Sequence, residues 1–232
     1  MRRALGLVVA VGLLAAPSGA AAAEVSVLVV GKHRVLREAA DVTLRARTAK
    51  VGGRRCAVGA VSPLSVLAGT RLALRLRDYG SCSRSVRDAG SLYVTQVAGE
   101  RARGAQGWVY KVGNRAGTAG AADPSVRLRD SERVLWFWCE QSRAGQCQRT
   151  LDARSDRTTV APGAPVRVTV RGYDDAGRGV VVAGARVRLG GAEAVTGADG
   201  VATVAAPAAG SVTLVAEKAG MVRSFPRQVV VR

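Results

Sequence analysis

Gly107-Trp108-Val109-Tyr110-Lys111-Val112-Gly113-Asn114 and, further on, Val134-Leu135-Trp136-Phe137-Trp138-Cys139 are the segments whose reading decides the fold. Together they hold all three tryptophans of the 232-residue chain. Each reads as a short strand, and Ser125-Val126-Arg127-Leu128-Arg129-Asp130 between them reads as a third. Turn chemistry at Gly113-Asn114, Asp123-Pro124 and Asp130-Ser131 separates the three. Side chains alternate along a strand, so Trp108 and Tyr110 share one face, and Trp136 and Trp138 share one face of the last strand.

Upstream, residues 24–30 read as a first strand, with Val25, Val27 and Val29 alternating against Ser26 and Leu28. Residues 41–47 read as a second, with Val42 and Leu44 inward and Arg45 and Arg47 outward. His33, the only histidine, falls between them and reads as a solvated turn residue. Nothing nearby supplies the carboxylate and nucleophile of a triad. Ser62-Pro63 is a helix start and Gly69 a plausible stop, so a short helix is expected there. Residues 71–78 alternate Leu72, Leu74 and Leu76 against Arg71, Arg75 and Arg77, and residues 91–97 form a further strand candidate.

The order Gly-Trp-Val-Tyr-Lys-Val, loop, short strand, acidic turn and aromatic strand resembles the transcobalamin-like C-terminal domain family of secreted bacterial proteins. Ser62-Pro63-Leu64-Ser65-Val66-Leu67 is similar to that family's short helix. The resemblance spans roughly residues 24–140. It departs from the family pattern at Gly113-Asn114, where the family has Asn-Gly, and at Asp130-Ser131-Glu132, where it has Asp-Gly-Asp. The resemblance implies an α+β, β-grasp-like domain over residues 24–148. In the family this domain helps cover cobalamin beside a large helical domain that this chain lacks.

From Thr158 the pattern changes. Residues 166–171, 185–189, 200–204, 211–216 and 228–231 are alternating or apolar runs separated by Gly/Asp turns, which predicts an all-β sandwich over residues 151–232. The runs around Gly184, Thr196, Asp199-Gly200 and Gly210 resemble bacterial immunoglobulin-like and carboxypeptidase-regulatory-like modules, commonly spacers or adhesive units. Residues 148–157 read as a polar link.

Met1-Arg2-Arg3, the apolar residues 4–16 and the small residues up to Ala23 read as a signal peptide, giving a mature chain that starts near Glu24. The apolar run is too short to span a bilayer, which takes about 20 residues. Export favours disulfides among Cys56, Cys82, Cys139 and Cys147. Cys56–Cys82 and Cys139–Cys147 each bracket a turn-rich loop; the two other pairings stay open at this level. The expected location is secreted or wall-associated.

The formal net charge is +18, to which Arg2 and Arg3 contribute two, and 31 of the 35 basic residues are arginine. Alternation collects Arg45 and Arg47, Arg75 and Arg77, and Arg127 and Arg129 on outward faces, where they are candidates for binding anions. Anionic envelope polymers or another extracellular protein are the expected partners. No nucleic-acid-binding motif is present, so no specific nucleic-acid role is expected.

Trp108, Tyr110, Trp136 and Trp138 are the other candidates, as a platform for a cobalamin-like or sugar ligand. The competing reading is a packed core, because two faces carrying two large aromatics each cannot all be surface in a small domain. Asp174-Asp175 and Asp199 read as turn formers rather than calcium ligands, and Asp130 with Glu132 as hairpin chemistry. The Gly/Ala run at 113–122 lacks the ending of a phosphate loop and reads as a flexible hairpin loop. One histidine, four lysines and scattered carboxylates offer little for catalysis, so neither enzymatic activity nor a cofactor or metal is expected.

Overall fold

The computed structural model describes residues 22–232, so the leader read at residues 1–23 falls almost wholly outside the described residues. β1 (Glu24–Val30) turns at His33 into β2 (Val35–Thr43). β3 (Arg47–Val51) and β4 (Arg54–Val58) form a hairpin with Gly52 and Gly53 at positive φ in its tip. Helix α1 (Pro63–Gly69) follows. Ser62 caps it by accepting the Ser65 N–H at 3.2 Å, and Pro63 opens its first turn, where no N–H is needed. β5 (Leu74–Asp78), β6 (Leu92–Val97) and β7 (Glu100–Arg101) make a three-stranded sheet.

β8 (Gly107–Val112), β9 (Arg115–Ala116) and β10 (Arg133–Cys139) complete the first sheet, in the order β2-β1-β10-β8-β9, with β1 and β10 parallel at its centre. The run Val134–Cys139 is continuously apolar because both faces of β10 are covered. Val134, Trp136 and Trp138 join Val25, Val27, Val29, Leu64 and Leu67 in the first core. Leu135, Phe137 and Cys139 join Leu28, Val222 and Phe225 in a second cluster, on the other side of the sheet.

Two expectations are corrected here. The second strand runs Val35–Thr43 and leaves Arg45 in a connection, because pairing with β1 across the His33 turn sets its extent. Residues 125–130 are not a strand. Leu128 is buried and its N–H donates to the Val61 carbonyl at 2.8 Å, so the alternation there reports one anchored side chain without a ladder.

The rest of the chain is entirely β: β11 (Thr150–Ser155), β12 (Thr159–Val160), β13 (Pro165–Tyr173), β14 (Gly179–Val181), β15 (Arg186–Leu189), β16 (Ala192–Val195), β17 (Val201–Ala205), β18 (Gly210–Glu217) and β19 (Arg227–Val231). β13 is flanked by β11 on one side and by β14 and β17 on the other; the second sheet runs β12-β19-β18-β15-β16. Their inward valines and leucines, among them Val166, Val168, Val187, Leu189 and Leu214, form one core between the two sheets. The stretch expected to be a polar link therefore contains a strand, β11, with Leu151, Asp152 and Ala153 buried.

The two halves meet over the outer face of the first sheet. Lys111, fully buried, donates to Thr150 Oγ1 at 3.2 Å and to the carbonyls of Tyr173 and Asp174 at 3.0 and 2.9 Å. Burial pulls its ammonium below the ordinary lysine range, opposed by the charges of Asp175 and Asp174. The Arg133 guanidinium lies 5.5 Å from the Phe225 ring centre, and Arg223 pairs with Glu38 at 2.9 Å. Both disulfides join the cysteines favoured by spacing: Cys56–Cys82 with Cα atoms 5.4 Å apart and Cys139–Cys147 at 5.1 Å. Chain-entropy arguments assign them about 3.6 and 2.6 kcal/mol. Among the described residues no helix is long and apolar enough to cross a membrane.

Candidate anion-binding face

Alternation along β5 turns Leu74, Leu76 and Asp78 towards the interior and Arg75 and Arg77 to solvent, with Tyr79 exposed just beyond the strand. On β6, Leu92 and Val94 are buried and Tyr93 stands outward. The β5–β6 register sets Arg77 opposite Tyr93. Arg101 and Arg103 arrive from the β6–β7 hairpin and the bend after it. The result is a shallow concavity of about 590 Å³ walled by Arg75, Arg77, Arg101, Arg103, Tyr79 and Tyr93, with no acidic residue among the described residues of its lining.

The aromatic pair is ordered. Tyr79 and Tyr93 meet edge to face with centroids 6.1 Å apart, and the Arg77 guanidinium sits 4.8 Å from the Tyr79 ring centre. Tyr79 and Tyr93 are 66% and 43% exposed, so ring surface is left for a ligand. Burial, and then Tyr79, push the Tyr93 phenol above its ordinary range, keeping it a neutral donor.

Beneath the face, Asp78 fixes the turn that carries Tyr79. It accepts from Ser91 Oγ at 2.6 Å, from the N–H groups of Cys82 and Gly80 at 3.0 Å each, and from Arg54 at 2.8 Å. The Ser91 hydrogen bond first, then that of Cys82, hold its carboxyl below the ordinary range. The Cys56–Cys82 bridge ties the same turn to β4. Guanidinium forks match carboxylate, sulfate and phosphate oxygens, and phenol rings stack on flat ligands.

The six arginines picked out in the sequence do not form one surface. Arg75 and Arg77 share the face just described. Arg45, Arg127 and Arg129 are exposed, but on irregular segments rather than strands. Arg47 turns inward: its Nε donates to the Ser65 carbonyl at 2.7 Å, and burial, then Arg45, lower its pKa. Arg101, Arg103, Tyr79 and Tyr93 were missed. The alternation Arg101-Ala102-Arg103 was the signal available for the first two.

The aromatic set lies in the core. Trp108, Tyr110, Trp136 and Trp138 are each at most 5% exposed, and cross-strand register pairs Trp136 with Tyr110 and Trp138 with Trp108. Trp108 Nε1 donates to the Glu100 carbonyl and Trp136 Nε1 to that of Pro63. The Tyr110 hydroxyl donates to the Ala119 carbonyl at 3.0 Å. The Gly/Ala run is thus no loose hairpin: it folds back over Tyr110, with Ala121 and Ala122 buried. A side chain at Gly117 would collide with the Tyr110 phenol. The recess beside these rings, about 220 Å³, is smaller than the roughly 300–1,000 Å³ of ordinary ligand pockets.

The turn aspartates already have hydrogen-bond partners. Asp174 accepts from the backbone and guanidinium of Arg178, Asp175 from the Cys147 N–H, and Asp199 from the Val201 N–H. Asp130 accepts from the Glu24 N–H and Glu132 from the Arg129 N–H.

No family model matches the chain, and no curated protein matches it. Among solved structures, the D00-D0 domain of Intimin is similar at 16% identity, covering 83% of this chain and 90% of that one, with a TM-score of 0.27. A likeness that distant does not bear on function.

Proposed function

We propose that this is a non-catalytic binding protein of the cell exterior that holds anionic envelope polymers on its arginine–tyrosine face. The observation that carries the reading is the gathering of four arginines and two exposed tyrosines round one concavity, with no carboxylate among the described residues of its lining. A single exposed ion pair contributes only about 0–1 kcal/mol. Useful affinity therefore needs several contacts at once, which a polymer of repeating charge supplies and a lone anion does not. The signal peptide read at residues 1–23 and the two disulfides support an extracellular setting. The order β2-β1-β10-β8-β9, with a parallel central pair, supports a β-grasp-like first domain. The paired sheets of residues 151–232 support an immunoglobulin-like spacer.

Titration of the mature chain with poly(glycerol phosphate) tests the reading. Binding should weaken steeply as salt rises, since exposed charges are screened over about 10 Å at 0.1 M. Arg75→Ser with Arg77→Ser should lower affinity by about tenfold, from two contacts of about 0.7 kcal/mol each, with an unchanged circular dichroism spectrum. Arg127→Ser with Arg129→Ser should do much less. Salt-independent binding, or equal losses from the two double variants, would sink the proposal.

A further inference from the structure

A second concavity lies where the halves meet, between the β1–β2 turn and one end of the sandwich. Its volume is about 620 Å³, inside the range of small-molecule sites. Half-buried Val35 and Met221 give it apolar surface, and Val195, 65% exposed, extends that surface to the lip; Trp138 and Val222, both nearly buried, only edge it. Lys32 and Arg34 stand on one side, and Arg186 and Lys218 on the other. Five basic residues line the cleft against one carboxylate, Glu217. That carboxylate is already engaged, by Arg188 at 2.7 Å and Arg223 at 4.0 Å. Among the described residues, Lys32, Arg34, Arg186 and Lys218 have no acidic partner within 4.0 Å.

The basic lip is built rather than loose. The Gly31 N–H donates to the Arg34 carbonyl at 2.8 Å, closing the turn. Glu100 accepts the Lys32 N–H at 2.8 Å, and its carboxylate lies so close to Gly31 that any side chain there would collide with it. A turn fixed in this way presents Lys32 and Arg34 with less ordering cost on binding. Lys218 donates to the Ala183 carbonyl at 2.5 Å, which fixes its ammonium at the rim. Cations without a carboxylate partner among the described residues, set round apolar surface, complement one ligand chemistry, a charged head on a hydrophobic body.

We propose that this cleft binds a small amphipathic organic anion, with a carboxylate or phosphate head held by Lys32, Arg34, Arg186 and Lys218 and an apolar body against Val35, Met221 and Val195. The site is separate from the arginine–tyrosine face and does not rest on the polymer reading.

Calorimetric titration of the mature chain with decanoate, octyl phosphate, octanol and inorganic phosphate tests it. One equivalent of decanoate or octyl phosphate should bind, the tighter of the two naming the head group. Octanol and inorganic phosphate should each bind at least about tenfold more weakly. Lys32→Ser with Arg34→Ser should cost about tenfold in affinity. Val195→Glu, which places a carboxylate at the lip from the other half, should do the same. Arg75→Ser with Arg77→Ser should leave this binding intact. All the altered positions are exposed, and melting curves check that each variant folds. The proposal is overturned by parental affinity in both cleft variants, by inorganic phosphate or octanol binding as well as the amphipathic anions, or by no binding of either amphipathic anion.

Discussion

Asp152 is 3% exposed and faces three arginines: Arg154 at 2.8 Å, Arg227 at 2.9 Å and Arg133 at 3.8 Å. Burial alone would raise its pKa. The hydrogen bonds from Arg154 and Arg227, with the charges of Arg227 and Arg133, outweigh burial and hold the carboxyl below its ordinary range. A carboxyl whose folded pKa is depressed contributes stability above its unfolded pKa, about 3.9, and loses it as pH falls through the lower folded value. Asp152→Asn should therefore cost about 2–3 kcal/mol at pH 7, because it leaves Arg133 and Arg227 without their carboxylate in a partly buried site, while Arg154, 62% exposed, stays solvated. The variant should also lose less stability than the parent between pH 4 and more acid conditions. Urea melts at neutral and acid pH check both; parallel acid profiles for parent and variant would contradict the assignment. In the sequence Asp152 reads as part of a polar link, since Arg227 lies 75 residues away and Arg133 in the other half. Lys111 is hidden for a similar reason. Alternation sets it opposite Trp108 and Tyr110, and a face opposite a core ordinarily reads as solvent.

Among the elements, α1 was legible because its signals are local: a capping serine, a proline in the first turn and a glycine at the end. β1, β8 and β10 were legible because their apolar patterns are strong. β11 was not, because its buried polar residues Thr150 and Asp152 and small Ala153 imitate a linker. The segment over Tyr110 was not either, because glycine signals freedom in sequence, whereas Gly117 is there to allow close approach. Gly117→Ala should overpack that contact and cost about 1–3 kcal/mol, read as a lower melting temperature. Tyr110→Phe removes one hydrogen bond to Ala119, a loss of about 1 kcal/mol. Tyr110→Ala should cost about 3–5 kcal/mol. Lost binding in that last variant would then report lost fold, so polymer binding should survive Tyr110→Phe. An exposed functional tyrosine would show the opposite order: little change in melting and a large change in binding.

At the scale of the molecule, sequence pattern divides the chain near residue 150 but cannot show what the outer face of the first sheet touches. Leu28, Leu135 and Phe137 are covered there by Val222 and Phe225 from the far end of the chain. Burying a large apolar side chain is worth about 1.5–3 kcal/mol, so several of them outweigh the exposed ion pair of Arg223 with Glu38. Lys111 adds a constraint of another kind, because its ammonium takes acceptors supplied by β11 and the end of β13. Cut off from the sandwich, residues 24–148 would expose the apolar face to water and leave Lys111 to be solvated. That fragment should melt well below the full chain and bind a hydrophobic dye that the full chain does not. The full chain should unfold in one transition, reported alike by tryptophan fluorescence, whose three probes all lie in the first half, and by far-ultraviolet dichroism, which sees both. Lys111→Met should separate the two signals, because each carbonyl left without a donor costs about 1–3 kcal/mol at the junction rather than in either core. A fragment of residues 24–148 that melts like the full chain and binds no dye would show that the junction contributes nothing, and that each half stands on its own core.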